Sequence, residues 1–157
     1  MTPRFVLARA LALAVPATLI AGALLSQHVG GLYPCEMCLW QRWPHYAAIV
    51  LALGAFLVAG AARTLVWLAA LAIAASGAIG VFHAGVEYGW WEGITACTST
   101  VAMPADGDLL GAILAAPMIR CDVAQWELLG ISLAGWNALF SLGGAIAIFA
   151  LMRKEAA

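Results

Sequence analysis

Charge is what this sequence has least of. Only 10% of its 157 residues are Asp, Glu, Lys or Arg, while 65% are hydrophobic. A soluble domain carries about 25% charged residues, so an ordinary soluble fold is excluded. With a formal net charge of −1, the basic footprint of a nucleic-acid-binding protein is missing too. There is no disordered low-complexity tract and no internal repeat of about 20 to 50 residues, which excludes solenoids and propellers. Two of the three histidines, His28 and His45, fall near the outer boundary of apolar runs, yet Cys-x-x-Cys-His, the mark of attached c-type haem, does not occur.

The missing charges define the architecture. Four runs contain no Asp, Glu, Lys or Arg: Ala10–Gln27, Trp43–Ala62, Thr64–Val86 and Leu128–Met152. A hydrocarbon core of about 30 Å needs roughly 20 apolar residues in a helix. The pattern predicts one domain over 1–157, an all-α membrane protein built as a four-transmembrane-helix bundle. Its spans lie at about 10–27, 44–62, 64–83 and 130–152. The first run, preceded by Arg4 and Arg9, also has the outline of a signal peptide; it is long for that role, and three more spans follow. Arg4, Arg9, Arg63, Arg153 and Lys154 share one side of the four-span topology, and only Arg42 and Arg120 fall on the other, with most of the acids. The positive-inside rule then puts both termini in the cytoplasm and the loops at about 28–43 and 84–129 outside.

All four cysteines lie in those outer loops, Cys35 and Cys38 in the first, Cys97 and Cys121 in the second. Outside a bacterial inner membrane disulfides persist. Two are expected, Cys35–Cys38 and Cys97–Cys121, although four cysteines permit three pairings. As a staple, Cys97–Cys121 is reasonable, since closing a loop of that size stabilises by roughly 3 kcal/mol. Cys35–Cys38 closes too small a ring to constrain much. Cys-x-x-Cys is instead a recurrent redox arrangement, one thiol attacking and the other resolving. A structural zinc site would ask for two close cysteine pairs, and the second pair here is far apart in sequence, so no metal is expected.

Around the pair, Arg42 follows Cys38 by four residues and shares its face if the chain is already helical. There it lowers the thiol pKa and can donate to a carbonyl or oxyanion; the plainer alternative is an interfacial arginine on lipid phosphate. Pro44 suits the first position of a helix but costs hydrogen bonds inside one. Trp40, Trp43, Tyr46, Tyr88, Trp90 and Trp91 read as an interfacial aromatic belt. His83, near the outer end of the third span, is an intramembrane ionisable group and so a functional candidate, or simply a histidine hydrogen-bonded within the bundle. In the second loop, "GDLLGAILAAPMIRC" predicts a short amphipathic helix lying on the membrane surface.

Cys35, Cys38 and Arg42 in Cys-x-x-Cys-x-x-x-Arg, the later pair Cys97 and Cys121, and the stretches "FHAGVEYGWWEG" and "CDVAQWELLGISLAGWNALFSL" together resemble the bacterial disulfide bond formation protein B (DsbB) family over nearly the whole chain. The resemblance implies an inner-membrane oxidase that regenerates a periplasmic DsbA-like thiol oxidase and passes electrons to ubiquinone or menaquinone. It implies that reduced partner attacks the Cys97–Cys121 bond at Cys97 and that Cys121 then attacks Cys35. Cys38 is released as a thiolate against the quinone, with Arg42 and His83 at the quinone site. Gln41 stands where some members carry an acid. A reductase resembling vitamin K epoxide reductase is the rival enzyme, but there the order of loop cysteines and Cys-x-x-Cys is usually reversed; a scaffold with two staple disulfides is the rival from another class.

Overall fold

The Thr2 hydroxyl accepts a hydrogen bond from the Phe5 N–H at 3.3 Å, and Pro3 occupies the first helical position. Both features suit a helix start, where N–H groups lack partners and proline's missing donor is no loss. From there the computed structural model, which describes residues 2–95 and 119–153, runs into helix α1, Pro3–His28. That helix stops as the Val29 and Gly30 N–H groups both turn back to the Leu25 carbonyl. A Cβ at Gly30 would lie 2.6 Å from the Ser26 carbonyl oxygen, and Gly31 has φ +68°; the turn therefore needs glycine at both places. Helix α2 covers Glu36–Leu57. A short 3-10 turn, Ala59–Ala61, leads into α3, Ala62–Glu87. Beyond 119 an antiparallel ribbon, β1 Glu127–Leu128 and β2 Ile131–Ser132, precedes α4, Leu133–Arg153.

Helix α3 packs against α2 and α4, and α1 closes the ring against the same two helices. The core inverts the soluble pattern. Its buried residues are mostly small: Ala12, Ala48, Ala52, Ala69, Ala70 and Ala145 are wholly or almost wholly covered. Large apolar side chains such as Val50, Leu57, Phe140 and Ile146 face outward. In lipid there is no gain from hiding leucine, and small residues let helices approach closely. At Gly80 a Cβ would stand 3.1 Å from the Ala134 carbonyl oxygen and the Asn137 amide, so α3 and α4 touch through backbone there.

Pro3–His28, Ala59–Glu87 and Leu133–Arg153 are long and apolar enough to cross a membrane; α2 carries Gln41, Arg42, Pro44 and His45 in its first half. The four-helix expectation fits. The helices outrun the expected spans: α1 begins at Pro3, α2 at Glu36, and α3 continues to Glu87. A charge ends a membrane span but does not end a helix, whose hydrogen bonds continue into the interface. One consequence is that Pro44 sits inside α2 rather than at its first position, leaving the Trp40 carbonyl without its usual helical donor. The ribbon at 127–132 takes residues that the fourth span was expected to start with. The amphipathic surface helix expected in the second loop lies, but for its last residues, outside the described residues.

The Arg9 guanidinium donates to the Ala55 carbonyl at 3.4 Å and sits 4.1 Å from the Phe56 ring centroid. The start of α1 and the end of α2 therefore share one end of the bundle, and Cys35 and Cys38 mark the other.

Candidate functional site: a dithiol at the wall of an apolar cavity

Cys35 caps α2. Its backbone is extended, and its sulfur accepts from the Cys38 N–H at 3.3 Å. The cap puts Cys38 in the first turn, where free N–H groups and the helix dipole favour an anion. The two sulfurs are 3.2 Å apart, at hydrogen-bond distance, and Cys35, Cys38 and Cys121 are free thiols. The two sulfurs are unbonded and close enough to share one proton. Hydrogen bonding from the Cys35 thiol holds Cys38 below its ordinary thiol value, against the opposing effect of burial, and Arg42 pulls in the same direction. The same bond, reinforced by burial and by a weaker hydrogen bond to Cys121, pushes Cys35 up. One sulfur is a thiolate in waiting and the other keeps the proton.

Cys121 packs against the cluster formed by Cys35, Met37 and Val86. Only the family resemblance, not spacing or composition, brings these two cysteines together in the sequence; the hydrogen bond from the Gln125 side chain to the Tyr33 carbonyl, 2.7 Å, ties the 120s segment to the approach of α2. Arg120 beside it makes a two-point ion pair with Asp122, at 2.9 and 2.5 Å. Cys97 lies outside the described residues.

Arg42 does not reach away into solvent. Its guanidinium donates to the Gln27 side-chain oxygen at 2.6 Å and to the Ala23 carbonyl at 3.3 Å, both on α1. It faces a cavity of about 420 Å³ between α1, α2 and α4, whose wall also includes Cys38, His83, Trp136 and Phe140. The volume is that of a small-molecule site, mostly apolar with a few convergent polar groups.

His83 is almost fully buried. Its Nε2 is 3.5 Å from the Cys35 sulfur and 3.6 Å from the Glu87 carboxylate, and its Nδ1 is 2.8 Å from the Gln41 amide nitrogen. The donor atoms of Cys35, Cys38 and His83 lie within 4.8 Å of one another, an outline that a thiophilic metal ion would accept; a redox dithiol with a neighbouring imidazole has the same outline. Gln41 continues to Asn137 and from there to His45, Ser76 and Ser141. Sequence reasoning missed Gln41, Glu87 and Asn137 as site residues. The available signal was a polar side chain inside, or at the edge of, a run otherwise free of polarity.

The aromatic belt divides. Trp43 and Trp90 are exposed as expected. Trp91 stacks on Phe82 and donates to its carbonyl at 2.9 Å, and the Tyr88 hydroxyl accepts from the Ser132 N–H at 2.8 Å. Those two anchor the end of α3 rather than the membrane surface. His28 is exposed at the end of α1.

The family model for "Disulfide bond formation protein DsbB" matches residues 4–151. A disulfide bond formation protein B of Verminephrobacter eiseniae is 34% identical over 164 residues, covering 97% of this chain and 88% of the relative. Another, of Marinobacter nauticus, is 30% identical over 165 residues, covering 98% and 95%. An uncharacterized protein of Rickettsia prowazekii is 21% identical over 126 residues, covering 78% and 73%. No solved structure gives a significant match.

Proposed function

Because the chain belongs to the disulfide bond formation protein DsbB family and is therefore a thiol–disulfide oxidoreductase of disulfide bond formation, we propose that it reoxidises a periplasmic DsbA-like oxidase at the expense of membrane quinone. Electrons enter at the Cys97–Cys121 pair, pass to Cys35–Cys38, and leave to ubiquinone or menaquinone. In this reading the chain sits in the bacterial inner membrane with both termini cytoplasmic and both cysteine loops periplasmic.

One observation carries it. Cys38, the sulfur held towards thiolate, lines the same apolar cavity as Arg42. The residues fit a quinone: the wall is apolar, Trp136 and Phe140 offer flat faces, and Arg42 and His83 offer donors to ring oxygens. When bound, the quinone supplies an acceptor for two electrons and two protons. The chain's own residues supply the rest. Cys121 packs against Cys35; in this reading its thiolate attacks Cys35 of the oxidised Cys35–Cys38 pair, so that a Cys121–Cys35 bond forms as the Cys35–Cys38 bond breaks and Cys38 departs as a thiolate. A good leaving thiol is one of low pKa, which is the direction in which Cys38 is moved. Arg42, held by α1, needs no reorganisation to face the charge gathering on that sulfur.

The test is a quinone-reduction assay with purified protein and a reduced thioredoxin-fold partner. Wild-type protein is expected to reduce ubiquinone or menaquinone in step with partner oxidation. Cys35→Ser, Cys38→Ser, Cys97→Ser and Cys121→Ser are each expected to abolish turnover. Full turnover in Cys35→Ser, or partner oxidation without quinone reduction, would overturn the reading.

A further inference from the structure

Behind the dithiol runs a buried chain of hydrogen bonds whose direction is fixed by two backbone carbonyls. A carbonyl only accepts. The Gln41 side-chain nitrogen reaches the Met37 carbonyl at 3.2 Å, and the Asn137 side-chain nitrogen reaches the Ser76 carbonyl at 3.4 Å. Each amide is thereby oriented with its NH2 towards its carbonyl. The Asn137 NH2 then donates to the Gln41 side-chain oxygen at 2.8 Å, and the Gln41 NH2 donates to His83 Nδ1 at 2.8 Å. A nitrogen that accepts carries no proton. In the neutral ring the proton is on Nε2, which faces the Cys35 sulfur at 3.5 Å and Glu87 at 3.6 Å.

The other end of the chain agrees. His45 Nε2 meets the Asn137 side-chain oxygen at 3.0 Å, an acceptor, so it too carries its proton. The two hydroxyls beside it have already placed theirs: Ser76 donates to the Gln41 carbonyl at 2.8 Å, and Ser141 to the Asn137 oxygen at 3.1 Å. Both hydroxyl oxygens therefore turn lone pairs, not protons, towards His45 Nε2, at 2.9 and 3.3 Å, and its one N–H is shared among three acceptors. Every bond thus points one way, from His45 through Asn137 and Gln41 to His83 and the Cys35 sulfur. Gln41, His45, His83, Ser76 and Ser141 are buried, while Asn137 is half-buried at the cavity wall; hydrogen bonds between buried groups are stronger than in water.

We infer that Gln41 and Asn137 are positioning residues whose side-chain amides lock His83 in its Nε2–H tautomer, so that the ring donates a hydrogen bond to Cys35 and is not its base. For the reaction this rests on the proposed function; the tautomer itself does not. A donor at Cys35 polarises that sulfur for attack, while the charge of the departing thiolate gathers on Cys38. With no lone pair facing Cys35, the ring cannot take the thiol proton, and the nearest acceptor is the Cys38 sulfur 3.2 Å away. The inference adds no bond-making step to the exchange.

Nitrogen NMR of the full-length, reduced, histidine-labelled protein in lipid nanodiscs reads the tautomer through two-bond proton–nitrogen correlations, with His83→Gln assigning the signal. Wild-type His83 is expected to show a single Nε2–H pattern. In the near-isosteric Gln41→Glu, a carboxylate accepts from the ring, and the Nδ1 and Nε2 resonances are expected to exchange places. Asn137→Leu releases the Gln41 amide, and a mixture of both patterns is expected, with about a tenfold fall in the rate of electron transfer to quinone. A wild-type ring with its proton on Nδ1 overturns the lock before any variant is made. An unchanged ring in Gln41→Glu overturns the role of Gln41. If the protein passes no electrons to quinone while the spectra follow the expected pattern, the proposed function fails and the lock stands.

Discussion

Replacing Cys35 with alanine should raise the pKa of Cys38 more than replacing Arg42 does. In the folded protein the first cause of the lowered Cys38 value is the hydrogen bond from the Cys35 thiol, across 3.2 Å; Arg42 contributes less, and burial and Glu87 oppose both. A hydrogen bond to a charged group contributes about 1.5–3 kcal/mol, which is about one to two pKa units at 1.36 kcal/mol per unit. Cys35→Ala removes that bond and leaves burial without its main opponent, so Cys38 moves to or above the ordinary thiol range. The sign with pH follows. A lowered pKa enlarges the thiolate fraction at neutral pH, and a rise of one to two units cuts that fraction by up to about ten- to a hundredfold. Arg42→Met removes a cation whose donors are already engaged by Gln27 and Ala23, and its shift should be the smaller. The assay is the pH dependence of alkylation of Cys38 in quinone-free protein lacking Cys97 and Cys121, with the Cys38 peptide quantified by mass. Unchanged Cys38 reactivity in a folded Cys35→Ala protein, or a larger shift in Arg42→Met, would refute the argument that the neighbouring thiol is the chief source of the thiolate.

Gly80→Val should lower thermal stability in detergent by about 1–3 kcal/mol, because even its Cβ meets the α4 backbone at 3.1 Å; Gly143→Ala, where nothing lies within 4 Å, should stabilise by up to about 1 kcal/mol through helix propensity alone. Tyr88→Phe should strip the Ser132 N–H of its partner at 2.8 Å, at a cost of about 1–3 kcal/mol, seen as faster hydrogen exchange at the Ser132 amide while the α1 and α2 amides keep their protection.

The four helices were legible because a bilayer penalises charge wherever the chain goes, so Arg63 and Glu87 marked the limits of a span without any knowledge of packing. Their true ends were not legible: Cys35 becomes a cap only because the chain turns after Gly31 and Pro34, and nothing in the charge pattern reports that. The dithiol and Arg42 could be read from spacing, since residues four apart on a helix share a face. Cys121 against Cys35 could be anticipated only through the family resemblance, because that meeting depends on how the 120s segment folds back over α2. The buried chain was the least visible part. Gln41, Ser76 and Asn137 lie on three helices, and each alone is one polar residue in an apolar setting. Their partnership depends on small residues, Gly77 and Gly80 among them, that let α3 meet α4 closely enough for two short amides to touch. In lipid such groups have no water to fall back on, so an isolated glutamine or asparagine in a span implies a partner even when the sequence cannot name it. For Asn137 that partner is Gln41, on the wall of the same cavity as Cys38 and Arg42.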